Sequence, residues 1–432
     1  MIHQNAEDAM PESNPPGAPA VAVLAGPRVP TRGWLVAYVL AMVGVAAGWF
    51  GPIQVLLPAQ ADRIAADGKE ALLALVTGYG AFASMVANPL WGALSDRLRT
   101  RWGRRRPVLV AGTAVGVAGL LVLAAADTPA AMVAGWLLVQ VGLNGPLAAL
   151  AAMLADHVPE RRRGTVGAWF GIAQTIGVVA GTAVAVAAGE GPLGYVALAV
   201  AVPCLVTALL VVHHEAPGSS PQAPESPRDG LRGLRPTVPF AWAWGVRLAL
   251  NLVNALVLLY LYFYLQDGVG VDHPGTWVLA LTAITALVTA VVAGVAGAAS
   301  DRRGRRRPFV AASAVLLAAA ATLLAAFPVL PVVLAATALV GVGWGLYVAV
   351  DLAVLTAVLP DPRTRATMLG VGNVASALPQ VLAPVLAAPL VTRAGGYPVL
   401  YGVTAALALA ALVGVRHLRD APDSADARAD AA

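Results

Sequence analysis

The sequence predicts an all-α integral membrane protein with twelve transmembrane helices in two pseudo-symmetric six-helix bundles. Three observations carry that expectation. The 432 residues are 59% hydrophobic and only 12% charged, against about a quarter charged in soluble domains. The charges gather between apolar runs of about 20 residues, the length a helix needs to cross about 30 Å of hydrocarbon. Loop landmarks also recur: Pro107 matches Pro308, Val158-Pro159 matches Leu359-Pro360, and Arg163-x-Thr165 matches Arg365-x-Thr367, at offsets of 201 or 202. These matches fall in loops and not in the repetitive Ala/Val/Leu runs, so they read as a duplication of six spans.

Taken in order, residues 1–31 carry prolines and acids with no basic stretch before an apolar core, so they read as a disordered tail and not a cleavable signal. The first bundle, 32–213, holds spans at 33–60, 71–95, 107–126, 129–155, 165–189 and 192–212. Residues 214–237, rich in Pro, Ser and Gly, cannot bury a core and read as a linker. The second bundle, 238–416, holds spans at 238–266, 275–299, 308–326, 329–358, 367–391 and 396–416, and a second disordered tail fills 417–432.

Of 28 basic residues, 24 fall on one side if both termini are cytoplasmic. The other side keeps Arg63, Lys69 and Arg393, and Arg247 lies inside a span. Basic loops resist translocation, so both termini are expected inside a plasma (inner) membrane that the chain crosses repeatedly. The same placement explains the net charge of +5 without a nucleic-acid partner. Cys204 is the single cysteine, which excludes an intramolecular disulfide and a cysteine metal cluster. Lys69 is the single lysine, in Asp67-Gly-Lys-Glu, so no Gly-x-x-x-x-Gly-Lys-Ser/Thr phosphate loop exists and any driving energy must come from a gradient. The sequence shows no catalytic constellation, so an enzyme, a cofactor and a metal centre are not expected.

Two loops stand out, GALSDRLRTRWGRRRP over Gly92 to Pro107 and GAASDRRGRRRP over Gly297 to Pro308. The pattern Gly-x-x-x-Asp-Arg-x-Gly-Arg-Arg-Arg resembles the signature loop of the major facilitator superfamily. Gly297, Asp301, Arg302, Gly304, Arg305 and Arg306 match it directly; Gly92, Asp96, Arg97, Gly103, Arg104 and Arg105 match it around an insertion of Leu98, Arg99, Thr100 and Arg101. The lengthened first loop is similar to that of the sucrose-transporter and glycoside-pentoside-hexuronide symporter branch. The resemblance implies a transporter that rocks two halves about a midplane site. It also implies a gate in which Gly92 and Gly297 allow close helix approach, and in which Asp96 meets the eleventh helix near Arg363 or Arg365, with Arg163 in the matching loop of the first half.

An ionisable group within a span costs roughly 2.5–3.5 kcal/mol on insertion scales and needs a reason. Arg247 and Asp351 are the two, each about 12 Å from the arginine-rich end of its span at 1.5 Å per residue. The resemblance puts helices one, four, seven and ten around the cavity, so the pair is expected to meet there and to open on protonation or substrate binding. Arg247, Asn251 and Asn254 share one helix face, as do Trp344, Tyr347 and Asp351. Trp136, Gln140 and Asn144 form a stripe on the fourth span, and Trp49 and Gln54 lie on the first. Amides and an acid beside aromatic rings suit a carbohydrate.

The second span has no acid between Glu70 and Asp96, so the paired aspartates of melibiose-type sodium permeases lack a counterpart and protons are the expected coupling ion. The fifth span lacks the Gly-Pro signature of drug/proton antiporters, and its Gly177-x-x-x-Gly181 reads as helix packing. Trp34, Trp91, Trp242, Trp244 and Trp277 lie near span ends and read as interfacial belt. The sequence thus points to a monomeric, proton-coupled symporter of a small polar solute, a sugar or glycoside, acting within a lipid bilayer. The alternative is proton-coupled efflux of drugs or metabolites, because one scaffold serves both.

Overall fold

The computed structural model describes residues 31–158, 160–213, 237–359 and 365–418; among them, twelve helices are long and apolar enough to cross a membrane. The two expected tails, the linker core, Arg363 and the side chains of 155, 157, 160–165 and 365–367 lie outside the described residues. The helices are α1 (Arg32–Ile64), α2 (Ala66–Arg97), α3 (Arg105–Ala125), α4 (Pro129–His157), α5 (Glu160–Ala187), α6 (Pro192–Val212), α7 (Val238–Leu259), α8 (Pro274–Arg303), α9 (Arg307–Ala326), α10 (Leu330–Ala357), α11 (Arg365–Arg393) and α12 (Tyr397–Val415).

The boundaries fall within a few residues of the expected ones, with two instructive exceptions. α1 runs to Ile64 and not to 60, because it passes through a π-helical turn, Pro52–Leu56, without breaking. The seventh span, expected as one helix to 266, stops at Leu259. Tyr260 leaves helical geometry (φ −110°, ψ 17°), and a short turn (Leu261–Phe263) and a π-helical turn (Tyr264–Val269) follow. Gly270, at φ 77°, ends that segment in the left-handed region that glycine enters at no steric cost. π-turns of this kind are frequent at functional positions, and both lie on the lead helix of a half, well away from the arginine loops.

The halves repeat one packing scheme. In the first, α1 packs on α5 and α6, α2 on α4, and α3 on α4 and α6; in the second, α7 packs on α11 and α12, α8 on α10, and α9 on α10 and α12. The halves meet through α2 with α11 and α5 with α8, which exchange under that same pseudo-twofold relation. Small residues make the close approaches: a Cβ on Gly142 of α4 would sit 2.2 Å from the Gly116 nitrogen of α3. Gly177 and Gly181 of α5 lie as closely against α1, at Val43 and Ala46 and at Ala47, which is the helix packing their spacing implied.

Buried polar groups add fixed points. Gln60, 1% exposed, donates to the carbonyls of Leu123 and Ala126, 2.9 Å each, and accepts from the Tyr195 hydroxyl at 2.7 Å, tying α1 to the end of α3 and to α6. In lipid such groups must be satisfied within the protein.

Candidate functional site

The side chains divide into three clusters by depth. Arg247 and Asp351, the two ionisable residues inside spans, form an ion pair between α7 and α10. Its groups are 11% and 21% exposed. Tyr347, one turn before Asp351, donates its hydroxyl to the second carboxylate oxygen at 2.5 Å. Arg247 also donates from Nε to the Ser376 hydroxyl of α11 at 2.8 Å. Asn251 donates to the Arg247 carbonyl at 2.8 Å and approaches the Tyr347 oxygen at 3.4 Å. Trp344 lies against Tyr347 with ring centroids 5.3 Å apart. Asn254 follows on the same stretch of α7, partly buried, with no hydrogen bond among the described residues. Three helices of the second half thus converge on one carboxylate and one guanidinium, each served by neutral donors or acceptors. Both partners of the pair remain partly open to solvent. Ser376 had no sequence signal beyond a hydroxyl in an apolar run.

The first-half residues expected to face the same cavity are placed differently. Asn144 is 1% exposed and staples α4 to α2: its amide nitrogen donates to Ser84 at 2.8 Å and to the Gln140 carbonyl at 2.6 Å, and its oxygen accepts from Asn88 at 3.1 Å. Trp136 is fully buried, its indole over Gly80 of α2 so closely that a Cβ there would meet Nε1 at 2.2 Å. Gln140 is partly buried beside the same glycine. Trp49 is partly buried; its indole nitrogen and that of Trp136 are buried without an acceptor among the described residues. Gln54 sits in the π-turn of α1, where its oxygen accepts from Thr182 of α5 at 2.9 Å and Thr282 of α8 at 2.8 Å. These amides find partners on neighbouring helices, so Asn144 and Gln54 bind helices together in this conformation. Three of the belt tryptophans are likewise engaged, Trp34 with His213 Nδ1 at 3.1 Å, Trp91 with the Val141 carbonyl at 2.7 Å and Trp244 with the Val371 carbonyl at 2.9 Å.

At the arginine-rich face, the first loop folds around Arg105. That residue is 4% exposed and reaches Ser95 at 2.8 Å, Asp96 at 2.8 Å, and Asp156 of α4 at 2.9 and 3.0 Å. Arg104 adds a bond to Asp156 at 2.9 Å. Asp96 therefore pairs within its own half, and its side chain is 62% exposed. The contact implied with Arg363 or Arg365 falls outside the described residues, as does the Arg163 side chain. Gly92 and Gly297, expected at close helix approaches, have nothing within 4 Å of a Cβ position among the described residues. Arg97 is exposed. The inserted residues make a tight turn: Thr100 accepts the Gly103 amide on its carbonyl at 3.0 Å and donates its hydroxyl to the Gly103 carbonyl at 2.7 Å, with Gly103 at φ 86°. In the second loop Gly304 caps α8 at φ 63°, Arg306 donates to the Ala353 carbonyl at 2.9 Å, and Asp301, Arg302 and Arg305 are exposed.

The third cluster, at the opposite face, was not read from the sequence. Lys69 bridges Asp62, at 3.0 Å in its own half, and Asp267, at 2.9 Å in the other. Gln266 donates to Asp62 at 3.0 Å, Tyr260 to the Glu70 carbonyl at 2.8 Å, and Tyr397 to both Glu70 and Asp267 at 3.2 Å. Tyr262 donates to Glu190 at 2.8 Å. Glu190 holds a φ of 59°, rare for a side-chain-bearing residue, with its carboxylate against Gly275 in the first turn of α8, where a helix N-terminus favours negative charge. Burial and the Glu190 charge push the Tyr262 hydroxyl well above its usual range, so it stays a donor. With the bond from Thr282 to Gln54, these contacts join the two halves.

Comparison with known proteins gives a family and a fold. The model of the Major Facilitator Superfamily matches residues 35–295 and 276–431. No curated protein matches the sequence. Among solved structures, the nucleoside transporter NupG aligns with a TM-score of 0.73 at 14% identity, covering 89% of this chain and 99% of its own. The peptide transporter POT in complex with sulfate aligns at 0.70 and 14% identity, covering 90% and 98%. A bacterial homologue of the human lysosomal transporter Spinster, in an inward-facing and occupied conformation, aligns at 0.63 and 16% identity, covering 89% and 93%. At these identities the likeness is one of fold.

Proposed function

From the premise that the chain belongs to the major facilitator superfamily, a family of transporters and not enzymes, we propose that it is a proton-coupled symporter of a small polar solute, a sugar or glycoside. The observation that carries the reading is the Arg247–Asp351 pair with Tyr347, Asn251 and Ser376 gathered on it inside the spans. Protonation of Asp351 removes the charge that holds Arg247, freeing its guanidinium for substrate hydroxyls beside the Asn251 and Asn254 amides, with Trp344 supplying an aromatic face. The lengthened first loop supports a place in the glycoside-symporter branch. The sugar contacts are thus assigned chiefly to the second half, since Asn144 and Gln54 already have helix partners.

The arginine-rich face is read as cytoplasmic in the plasma membrane, both termini with it, and the monomer as the working unit. Cross-half bonds gathered at the opposite face support a conformer closed to the outside and open to the cytoplasm, one of two states in alternating access.

Uptake of labelled sugars into proteoliposomes tests this. An inward proton gradient should drive accumulation in the wild type, while Asp351→Asn should lose gradient-driven accumulation and keep exchange of preloaded substrate. Full accumulation by Asp351→Asn removes it as the coupling group, and gradient-driven extrusion of apolar compounds instead of sugar uptake overturns the import reading.

A further inference from the structure

The cluster at the opposite face holds a feature that a simple staple between the halves does not need. Lys69, with its side chain 10% exposed, is shared between Asp62 of α1 and Asp267 of the α7 π-turn, and its ammonium also lies 5.1 Å from the Phe263 ring centroid. Asp62 belongs to the same half as Lys69, and Asp267 to the other. The chain carries 28 basic residues and uses lysine only here. An ammonium is a compact charge with three rotatable donors, able to change acceptors singly, where a guanidinium fork prefers two on one carboxylate.

We propose that Lys69 is a hand-over latch: Asp267 is the partner it releases when the outer face opens, and Asp62 is the partner that keeps it. Asp267 has its own reserve, since the Tyr397 hydroxyl of the same half reaches its other oxygen at 3.2 Å. Each charge that parts at opening therefore keeps a hydrogen-bond partner in its own half. That matters because uncompensated charges in a partly desolvated site are what make breaking an ion pair costly. The two carboxylates, 2.9 and 3.0 Å from the same nitrogen, then act in opposite directions on the equilibrium. Asp267 holds Lys69 only in the closed face, while Asp62 holds it in both; Asp62 also accepts from Gln266 of the other half at 3.0 Å, a bond that a neutral asparagine oxygen can keep. The inference rests on the alternating-access reading above.

The test measures distances across the outer face by pulsed electron resonance. Spin labels go on cysteines replacing the exposed Asp67 and Asp272, with the exposed Cys204 changed to serine. Asp267→Asn should raise the ratio of the long-distance, open population on the order of tenfold, and Asp62→Asn should lower it; a tenfold change corresponds to about 1.4 kcal/mol. Asparagine keeps an acceptor oxygen at both positions, so the charge alone is removed. If both variants open the face, or neither moves it, the hand-over is wrong and Lys69 is a plain staple. If every protein, wild type included, shows one distance with and without substrate, the alternating-access reading falls, and the hand-over with it.

Discussion

The two arginine loops descend from one motif and end as different structures. In the first, Arg105 is buried among Ser95, Asp96 and Asp156, and the ends of α2, α3 and α4 become one ionic knot. In the second, Arg306 is only partly buried and donates to the Ala353 carbonyl, and Asp301 lies exposed. The cause is visible two residues before the matched Val158 and Leu359: the first half has Asp156 and the second has Ala357. Without that acid the arginine has no reason to bury. Other parts of the repeat persist, since Arg106 donates to the Leu210 carbonyl ending α6 and Arg307 to the Arg416 carbonyl ending α12, each placing a cation at a helix C-terminus. The lesson is that a duplicated signature conserves helix ends, while one acid decides whether the loop is a clamp or stays loose.

The comparison can be broken by experiment. The largest effect is expected from Arg105→Met, which leaves Asp156 to Arg104 and removes the contacts to Ser95 and Asp96; discounted for the exposure of Asp96, the loss should be about 2 kcal/mol. Arg306→Met should cost less than Arg105→Met, because Arg306 is more exposed and Ala357 stands where the first half has Asp156. Thermal unfolding in detergent checks both, and equal losses would erase the distinction. A smaller effect is expected from Ala357→Asp, which gives Arg306 the missing acid. It should stabilise the second half by about 0.5–1 kcal/mol and slow transport, if looseness there serves movement. The smallest expected change is Gly103→Ala: the turn holds φ 86°, so the alanine should cost about 1 kcal/mol and melt only the inserted turn, seen as faster local hydrogen exchange.

Much of the fold was legible. Apolar length marked the spans, and Arg247 with Asp351 could be paired because lone charges in lipid at equal depth leave few alternatives. The amides were not legible in the same way. Asn144 and Gln54 have the helical spacing of cavity residues, but spacing says which face a side chain takes and not which neighbour meets it. The opposite-face cluster was hidden for another reason. Lys69 and Asp267 are 198 positions apart and both lie at span ends, where a charge needs no explanation. Asp156 stood beside basic residues in what looked like a topology loop, and only its partner's burial shows its role.

Lys69 has one further consequence, for anyone handling the protein. A chain with a single lysine offers amine chemistry only two targets, that side chain and the amino terminus. Because Lys69 is buried and held between two carboxylates, its labelling by an amine reagent would report how often that contact between the halves opens.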